Sequence, residues 1–291
     1  MMFCALSKAK GMIIKMKKVI TLIIGMIMLF TFVGCSNGSA SASASTPKAT
    51  STIEKIKTSK KIVIGTAPGY MPFEMTDVDG NFIGYDIDLG KAIGESLGVE
   101  VEFKQYEFSG LIPALQVGEI DILLAGMTIR GDRAAAVSFS DTYFATGQVL
   151  MVSAADTTTK TWQDLDVAGK TIALSQGTTG ALLAKQLFKN AEVVDFADFP
   201  TASMAIVQGK ADAIVYDEPG IKQFELMHPG EVKGIYDLIS NENLGIAVKY
   251  NDLETVQWLN SFLSGYKNSP ADLASMDKWF NSTDWMTTVA K

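Results

Sequence analysis

Two distant segments of the chain carry the same pattern. One is "ALQVGEIDILLAG" (Ala114–Gly126) and the other is "AIVQGKADAIVYD" (Ala205–Asp217). Each has a helix end, a glycine, two residues, an aspartate and an apolar run. Gly118 and Gly209 stand where a helix stops, in a left-handed conformation that glycine adopts without strain. The runs led by Asp121 and Asp212 are too apolar to alternate, which suits a strand covered on both faces. A chain that builds this helix–turn–strand unit twice is constrained to alternate helices and strands in two halves.

The flanking segments continue the alternation. Strands are expected at 61–65, 99–103, 170–175 and 191–196. Helices are expected at 86–98, 109–118, 180–188 and 201–209, with Asp86 and Thr201 as N-caps. Pro113 is tolerable in the first turns of its helix. Alternating elements imply mostly parallel sheets with helices on both faces. The fold class is therefore α/β, with two lobes.

The N-terminal residues read differently. Lys17 and Lys18, an apolar run from Val19 to Val33, and Gly34-Cys35 describe a secretory signal over 1–34, with Met16 as a plausible start. The run is short for a membrane span. "SNGSASASASTPKAT" follows, too poor in apolar residues to offset chain entropy, so 35–58 reads as a flexible tether. The fold itself is expected to take hold near Ile53. Five of the 25 basic residues and no acids lie in 1–34, which leaves 20 basic residues against 32 acidic ones. So acidic a surface argues against nucleic acid as a partner. Cys4 and Cys35 are the two cysteines. Once the chain is cut before Cys35, an internal disulfide, a zinc cluster and a cysteine nucleophile are excluded. The one histidine, His228, sits in a Pro-Gly turn context and reads as a surface loop residue, so a Ser-His-Asp triad is not expected. No cofactor and no metal are expected.

Ligands of such sheets bind beyond the carboxyl ends of the strands. Gly126–Thr128, Asp217 and the turn "SQGTTG" (175–180) all fall there. Backbone N–H groups at the helix start after this turn suit an anion. In "LLAGMTIRGDR" the chain leaves a buried strand and places Arg130 and Arg133 around a Gly-Asp turn. A solvated loop with a surface ion pair would explain that alone. The convergence says more: one half offers the cation Arg133, and the other an anion-friendly turn and the carboxylate Asp217. A cleft with one cation and one carboxylate suits a zwitterion.

At these residues the chain resembles the polar amino-acid-binding proteins that serve bacterial ABC importers, the glutamine/histidine-type solute-binding family. The similarity covers nearly all of 60–291. It rests on "GYMPFE" (69–74), "GYDIDLGKAIG" (84–94), "FSGLIPALQVGEIDILLAGMTIRGDR" (108–133), "FSDTYFATGQVLMV" (139–152), "GKTIALSQGTT" (169–179), "GKADAIVYDEP" (209–219) and "LGIAVK" (244–249). The resemblance implies a two-lobed periplasmic-binding-protein-like fold that closes on its ligand. Lobe 1 would comprise 59–144 and 243–291, and lobe 2 would comprise 145–242, with crossovers near Tyr143–Gly147 and Ile239–Leu244. Carried over by position, Arg133 would grip the ligand α-carboxylate, with Thr128 and Thr179 as further donors. Asp217 and the Gly126 backbone would hold the α-ammonium. Tyr70 and Phe108 would sandwich the side chain. Phe-Val-Gly-Cys resembles a lipobox, which makes Cys35 the lipidated first residue of a monomer anchored to the membrane at the cell surface or in the periplasm. The partners implied are a small-molecule amino acid and the permease subunits of an ABC importer.

Departures from the family pattern bear on specificity. Arg130 stands where the family usually has Thr, and Gly131 where it has Pro, so Arg130 reads as surface. Ala67 stands where relatives that take lysine, arginine, histidine or glutamine carry an aspartate. Ser175 and Tyr216 replace a lysine and a histidine of a glutamine-binding relative. The pocket therefore reads as suited to a neutral side chain, with Glu74 and Glu218 expected to be solvated near its rim. Two other functions are weighed: an enzyme like the cyclohexadienyl dehydratases that resemble this family, which needs a carboxyl acid in the cleft, and a sensory ectodomain.

Overall fold

A computed structural model describes residues 50–289. Residues 1–49, with the expected signal segment, most of the tether and Cys35, lie outside the described residues. Within the expected tether, Thr52–Ser59 is a helix capped by Ser51, with Ile53 and Ile56 buried. It docks through Thr52 N and Ile53 N, which donate to Asp252 Oδ2 and Thr255 Oγ1 at 2.8 and 3.0 Å. Part of the expected tether is thus packed against the fold, because two isoleucines at helical spacing find a partner helix in Leu253–Tyr266.

The strands are β1 (Lys61–Thr66), β2 (Met75–Thr76), β3 (Phe82–Ile83), β4 (Glu100–Gln105), β5 (Ile122–Leu123), β6 (Val137–Phe139), β7 (Phe144–Thr146), β8 (Gln148–Ser153), β9 (Thr171–Ser175), β10 (Glu192–Phe196), β11 (Ala213–Asp217), β12 (Val232–Ile235), β13 (Glu242–Leu244) and β14 (Ala247–Lys249). They form two five-stranded sheets, β4-β1-β5-β14-β6 and β10-β9-β11-β8-β12. In each, the first three strands pair in parallel and the last two ladders are antiparallel. The expected mostly parallel sheet is therefore mixed. One strand in each, β14 or β8, runs against the rest. It is the strand that returns from the short crossover: β7 and β13 pair antiparallel as a separate ribbon linking the two lobes.

The repeated motif folds the same way twice. Gly118 and Gly209 take the left-handed conformation, φ +83° and +68°. Asp121 N donates to Val63 O, and Asp121 Oδ2 accepts from Val63 N at 2.9 Å, while Lys55 closes on its other oxygen. Asp212 exchanges the same two bonds with Thr171 and takes Lys170. Each aspartate thereby satisfies the start of a parallel pair, where strand backbone would otherwise be left open.

Two expected caps differ. Helix Tyr85–Leu97 starts after Gly84, and Asp86 lies inside it, fully buried. Its carboxylate is drawn away from a capping role by donors from 40 and 57 residues on. Helix Phe199–Val207 is capped by Asp198, whose carboxylate accepts from Thr201 N at 2.8 Å. A carboxylate with Pro200 behind it outcompetes the hydroxyl of Thr201 for the same orphan N–H groups. The C-terminal helices come back to helix Tyr85–Leu97: Tyr85 Oη donates to Asp272 and Trp279 Nε1 donates to Asp88.

Candidate functional site

The expected site residues meet where strands from both sheets end. Arg133 lies on a single helical turn, Gly131–Ala134, and is buried. Its Nη1 donates to Thr128 O and its Nη2 to Gly177 O, each at 2.9 Å. The second bond crosses from one lobe to the other. The guanidinium carbon stands 5.3 Å from the Phe108 ring centroid. Among the described residues no carboxylate lies within salt-bridge reach of it. Burial pulls its pKa down to about 10, with Arg130 as a second depressing charge. A guanidinium has five N–H groups, and two are engaged here, so the fork still has donors to offer. Arg130 pairs with Asp132 at 2.9 Å on the exposed side of the same turn.

Across the cleft, Asp217 ends β11 and is buried. Burial raises its pKa to about 8, Glu242 adds to the rise, and Tyr70 and Arg133 oppose it. Gln148 Nε2 donates to Asp217 Oδ1 at 2.9 Å and to Thr179 Oγ1 at 3.1 Å, tying those two residues together. Tyr70 Oη is buried close enough to Asp217 to hold its pKa down but makes no hydrogen bond of ordinary geometry. The Tyr70 ring lies edge-on to Tyr216 at 5.4 Å and against Gly126. Gly126 N donates to Asp86 Oδ2 at 2.8 Å, which leaves its carbonyl as the group it can present to an ammonium.

Gly126 is there of necessity. Its φ is +54°, and a Cβ would stand 2.3 Å from Tyr70 Cε1. Gly126→Ala is expected to destabilise the protein by about 1–3 kcal/mol from backbone strain and to push Tyr70 out of place. Thermal denaturation should show the melting point fall, by roughly 2–4 °C per kcal/mol.

The groups form two chains: Phe108–Arg133–Thr128 with Gly177, and Gly126–Tyr70–Asp217–Gln148–Thr179. Arg133 and Asp217 feel each other's charge without forming an ion pair. Between the lobes lies a cavity of about 60 Å³ lined by Ala67, Tyr70, Glu74, Phe108, Ser175 and Tyr216 among others. Tyr70 and Phe108 thus face one space. A larger apolar cavity, about 610 Å³, adjoins it through the shared wall residues Pro68, Gly69, Gln105 and Pro200, with Met71, Met75, Met204 and Met227 in its wall and none of the charged set.

Five side chains sit in surroundings that the local sequence does not foretell. Gln148 is wholly buried inside an apolar strand pattern. Glu242, on β13, is buried with Oε2 unpartnered. Glu74 was expected near a solvated rim; it is wholly buried, because the Tyr70–Glu74 bridge folds "GYMPFE" inward. Glu218 opens the first turn of a helix and is half-buried. His228 does leave its helix at a turn, but its ring stacks on Phe224 at 4.2 Å and is partly covered.

Two mixed sheets joined by a two-strand ribbon, with a cation and a carboxylate facing across the cleft, define a two-lobed binding-protein class. The chain belongs to the bacterial extracellular solute-binding proteins, family 3, whose model matches residues 62–282. It is 31% identical over 204 residues to a probable histidine-binding protein of Neisseria gonorrhoeae, covering 69% of this chain and 75% of the relative. Among solved structures it is similar to an ancestral amino-acid-binding protein described as a precursor of cyclohexadienyl dehydratase. That match has TM-score 0.75 and 35% identity, covering 79% of this chain and all of the other. A binding component of an ABC transporter from Wolinella succinogenes, complexed with lysine, matches with TM-score 0.76 and 32% identity, covering 79% of this chain and 99% of the other. Among the described residues no helix is long and apolar enough to cross a membrane.

Proposed function

We propose that this chain is the amino-acid-binding component of an ABC importer. It closes its two lobes, 59–144 with 243–291 and 145–242, on a zwitterionic amino acid and delivers it to a membrane permease. The observation that carries this reading is a buried Arg133 without a carboxylate and a buried Asp217 without a cation, held apart on opposite lobes. A buried charge without a partner is unfavourable, and an α-carboxylate and α-ammonium supply both partners at once. Arg133, Thr128 and Thr179 hold the carboxylate; Asp217 and the Gly126 carbonyl hold the ammonium; Tyr70 and Phe108 flank the side chain. We further propose that Cys35 carries a lipid anchor and that the protein works as a monomer without turnover chemistry.

The side chain is proposed to be neutral, because Ala67 stands in the cavity wall and offers no charge. A second reading, a cationic side chain, is favoured by one observation: Glu74, Glu107 and Asp198 also line the cavity. A thermal-shift screen of the twenty amino acids tests both. A ligand at about 100 times its dissociation constant should add roughly 2.7 kcal/mol of stability. That corresponds to about 5–10 °C for a chain of this size. Prephenate and arogenate are expected to remain unchanged on incubation. No shift with any amino acid would sink the proposal.

A further inference from the structure

Glu74 and Asp86 are both wholly buried, and neither has a lysine or arginine in salt-bridge reach among the described residues. Three of their bonds are clear. Asp86 Oδ2 accepts from Gly126 N at 2.8 Å and from Tyr143 Oη at 2.9 Å, and Glu74 Oε2 accepts from Thr66 Oγ1 at 3.3 Å. The two remaining oxygens, Asp86 Oδ1 and Glu74 Oε1, are buried without any donor. Asp86 N donates to Phe73 O at 2.9 Å, which sets Asp86 beside Glu74; each carboxyl moves the other's pKa, and the Ala67 backbone N–H acts to lower that of Glu74. Buried acceptors without donors are rare in folded proteins. A single proton held by the pair relieves the crowding of charge, because two full charges side by side in a dry site would repel strongly.

Asp86 is the better holder of the negative charge, because an amide and a phenol already donate to it. The proton therefore sits mainly on Glu74. The titratable groups against the pair are the phenols of Tyr143, Tyr70, Tyr85 and Tyr216, all kept protonated by burial, and Glu107 and Asp198 share the cavity wall with Glu74. Burial is also the first cause that lifts both carboxyls, Asp86 to about 7 and Glu74 well above its ordinary value. Glu74 is at the same time part of the wall of the interlobe cavity.

We propose that Glu74 decides side-chain selectivity by sharing one proton with Asp86. The pair keeps the proton when the ligand side chain is neutral and releases it to solvent when the side chain is a cation. This rests on the reading of the cleft as an amino-acid site. The step balances: Glu74–COOH beside Asp86–COO⁻ takes up a cationic side chain, becomes Glu74–COO⁻ facing the cation with Asp86–COO⁻ outside the cavity wall, and yields one H⁺. One site then takes both kinds of amino acid, with pH setting the preference.

The test is calorimetry on the full chain at pH 7.5, with arginine and glutamine, in buffers of different ionisation enthalpy. Any proton lost from Asp217 is common to both ligands. Arginine is therefore expected to release about one proton more than glutamine, with its affinity rising up to about tenfold more per pH unit. Asp86→Asn keeps an acceptor toward Gly126 and Tyr143 and turns an amide donor toward Glu74. It should cut the arginine proton count by about one and tighten arginine at pH 6. Glu74→Gln should abolish the extra proton. Equal proton counts for the two ligands in the wild type would overturn the proposal. So would glutamine binding with no arginine binding between pH 6 and 9. If arginine alone binds, an unchanged count in Asp86→Asn overturns it. If no amino acid binds, the amino-acid reading itself fails and takes this one with it.

Discussion

Arg133→Ala is expected to weaken amino-acid binding by two to four decades while the fold survives. Removing one partner of a buried, hydrogen-bonded charge pair costs about 3–5 kcal/mol. The argument rests on where the guanidinium lies. It is buried, its pKa is drawn down by burial, and two carbonyls, Thr128 O and Gly177 O, are its described acceptors. Arg133 is thus a desolvated cation with no carboxylate in salt-bridge reach among the described residues. Arg133→Lys keeps the charge but loses the planar fork and the bond across the cleft, so its loss should be substantial and smaller than that of alanine. Calorimetry on all three forms decides. An affinity change below about threefold for alanine would mean that Arg133 only props the two lobes together.

Asp217→Asn is expected to weaken every amino-acid ligand together, by about 1.5–3 kcal/mol for a charge-assisted bond. The change keeps the size and the Gln148 contact point but removes the charge proposed to answer the shared ammonium. Wild type should also show a pH signature that the variant lacks. Burial and Glu242 hold the free carboxyl up at about 8. In the complex an ammonium faces it and lowers its pKa. Binding then expels a proton wherever the free protein still holds one. Affinity therefore falls as pH drops below about 8, by up to about tenfold per unit, and levels off above it until the ligand ammonium itself titrates. In Asp217→Asn that slope should flatten. Ligands that weaken selectively, according to their side chains, would place Asp217 in the side-chain subsite instead.

Much of the scaffold is written locally. The repeat with Gly118 and Gly209 anticipates two helix stops and two parallel strand starts, because the left-handed cap needs glycine and a doubly covered strand needs an unbroken apolar run. Arg133, Thr128 and Gly126 fall together for the same reason: they follow one strand end within a few residues. Lobe 2 is similar, since Asp217 and Thr179 each sit at the end of an apolar strand or at the start of the helix after it.

What stayed hidden depends on partners far along the chain. Asp86 reads as an N-cap because it precedes an amphipathic run. It becomes a buried charge holder because Gly126 N and Tyr143 Oη arrive from other elements. Glu74 looks like a solvated acid after a proline, until the 70–74 turn folds it against Thr66. Gln148 gives no signal in its strand, and its role exists only where Thr179 and Asp217 converge on it. Two α/β halves, the strand-end placement of the cation and the carboxylate, and the helix stops are all legible along the chain. Local sterics and apolar periodicity decide those features over a few residues. Which carboxyls are desolvated and which face the cleft follows from the packing of distant segments, because the energy of a charge depends on everything packed around it rather than on its neighbours in the chain.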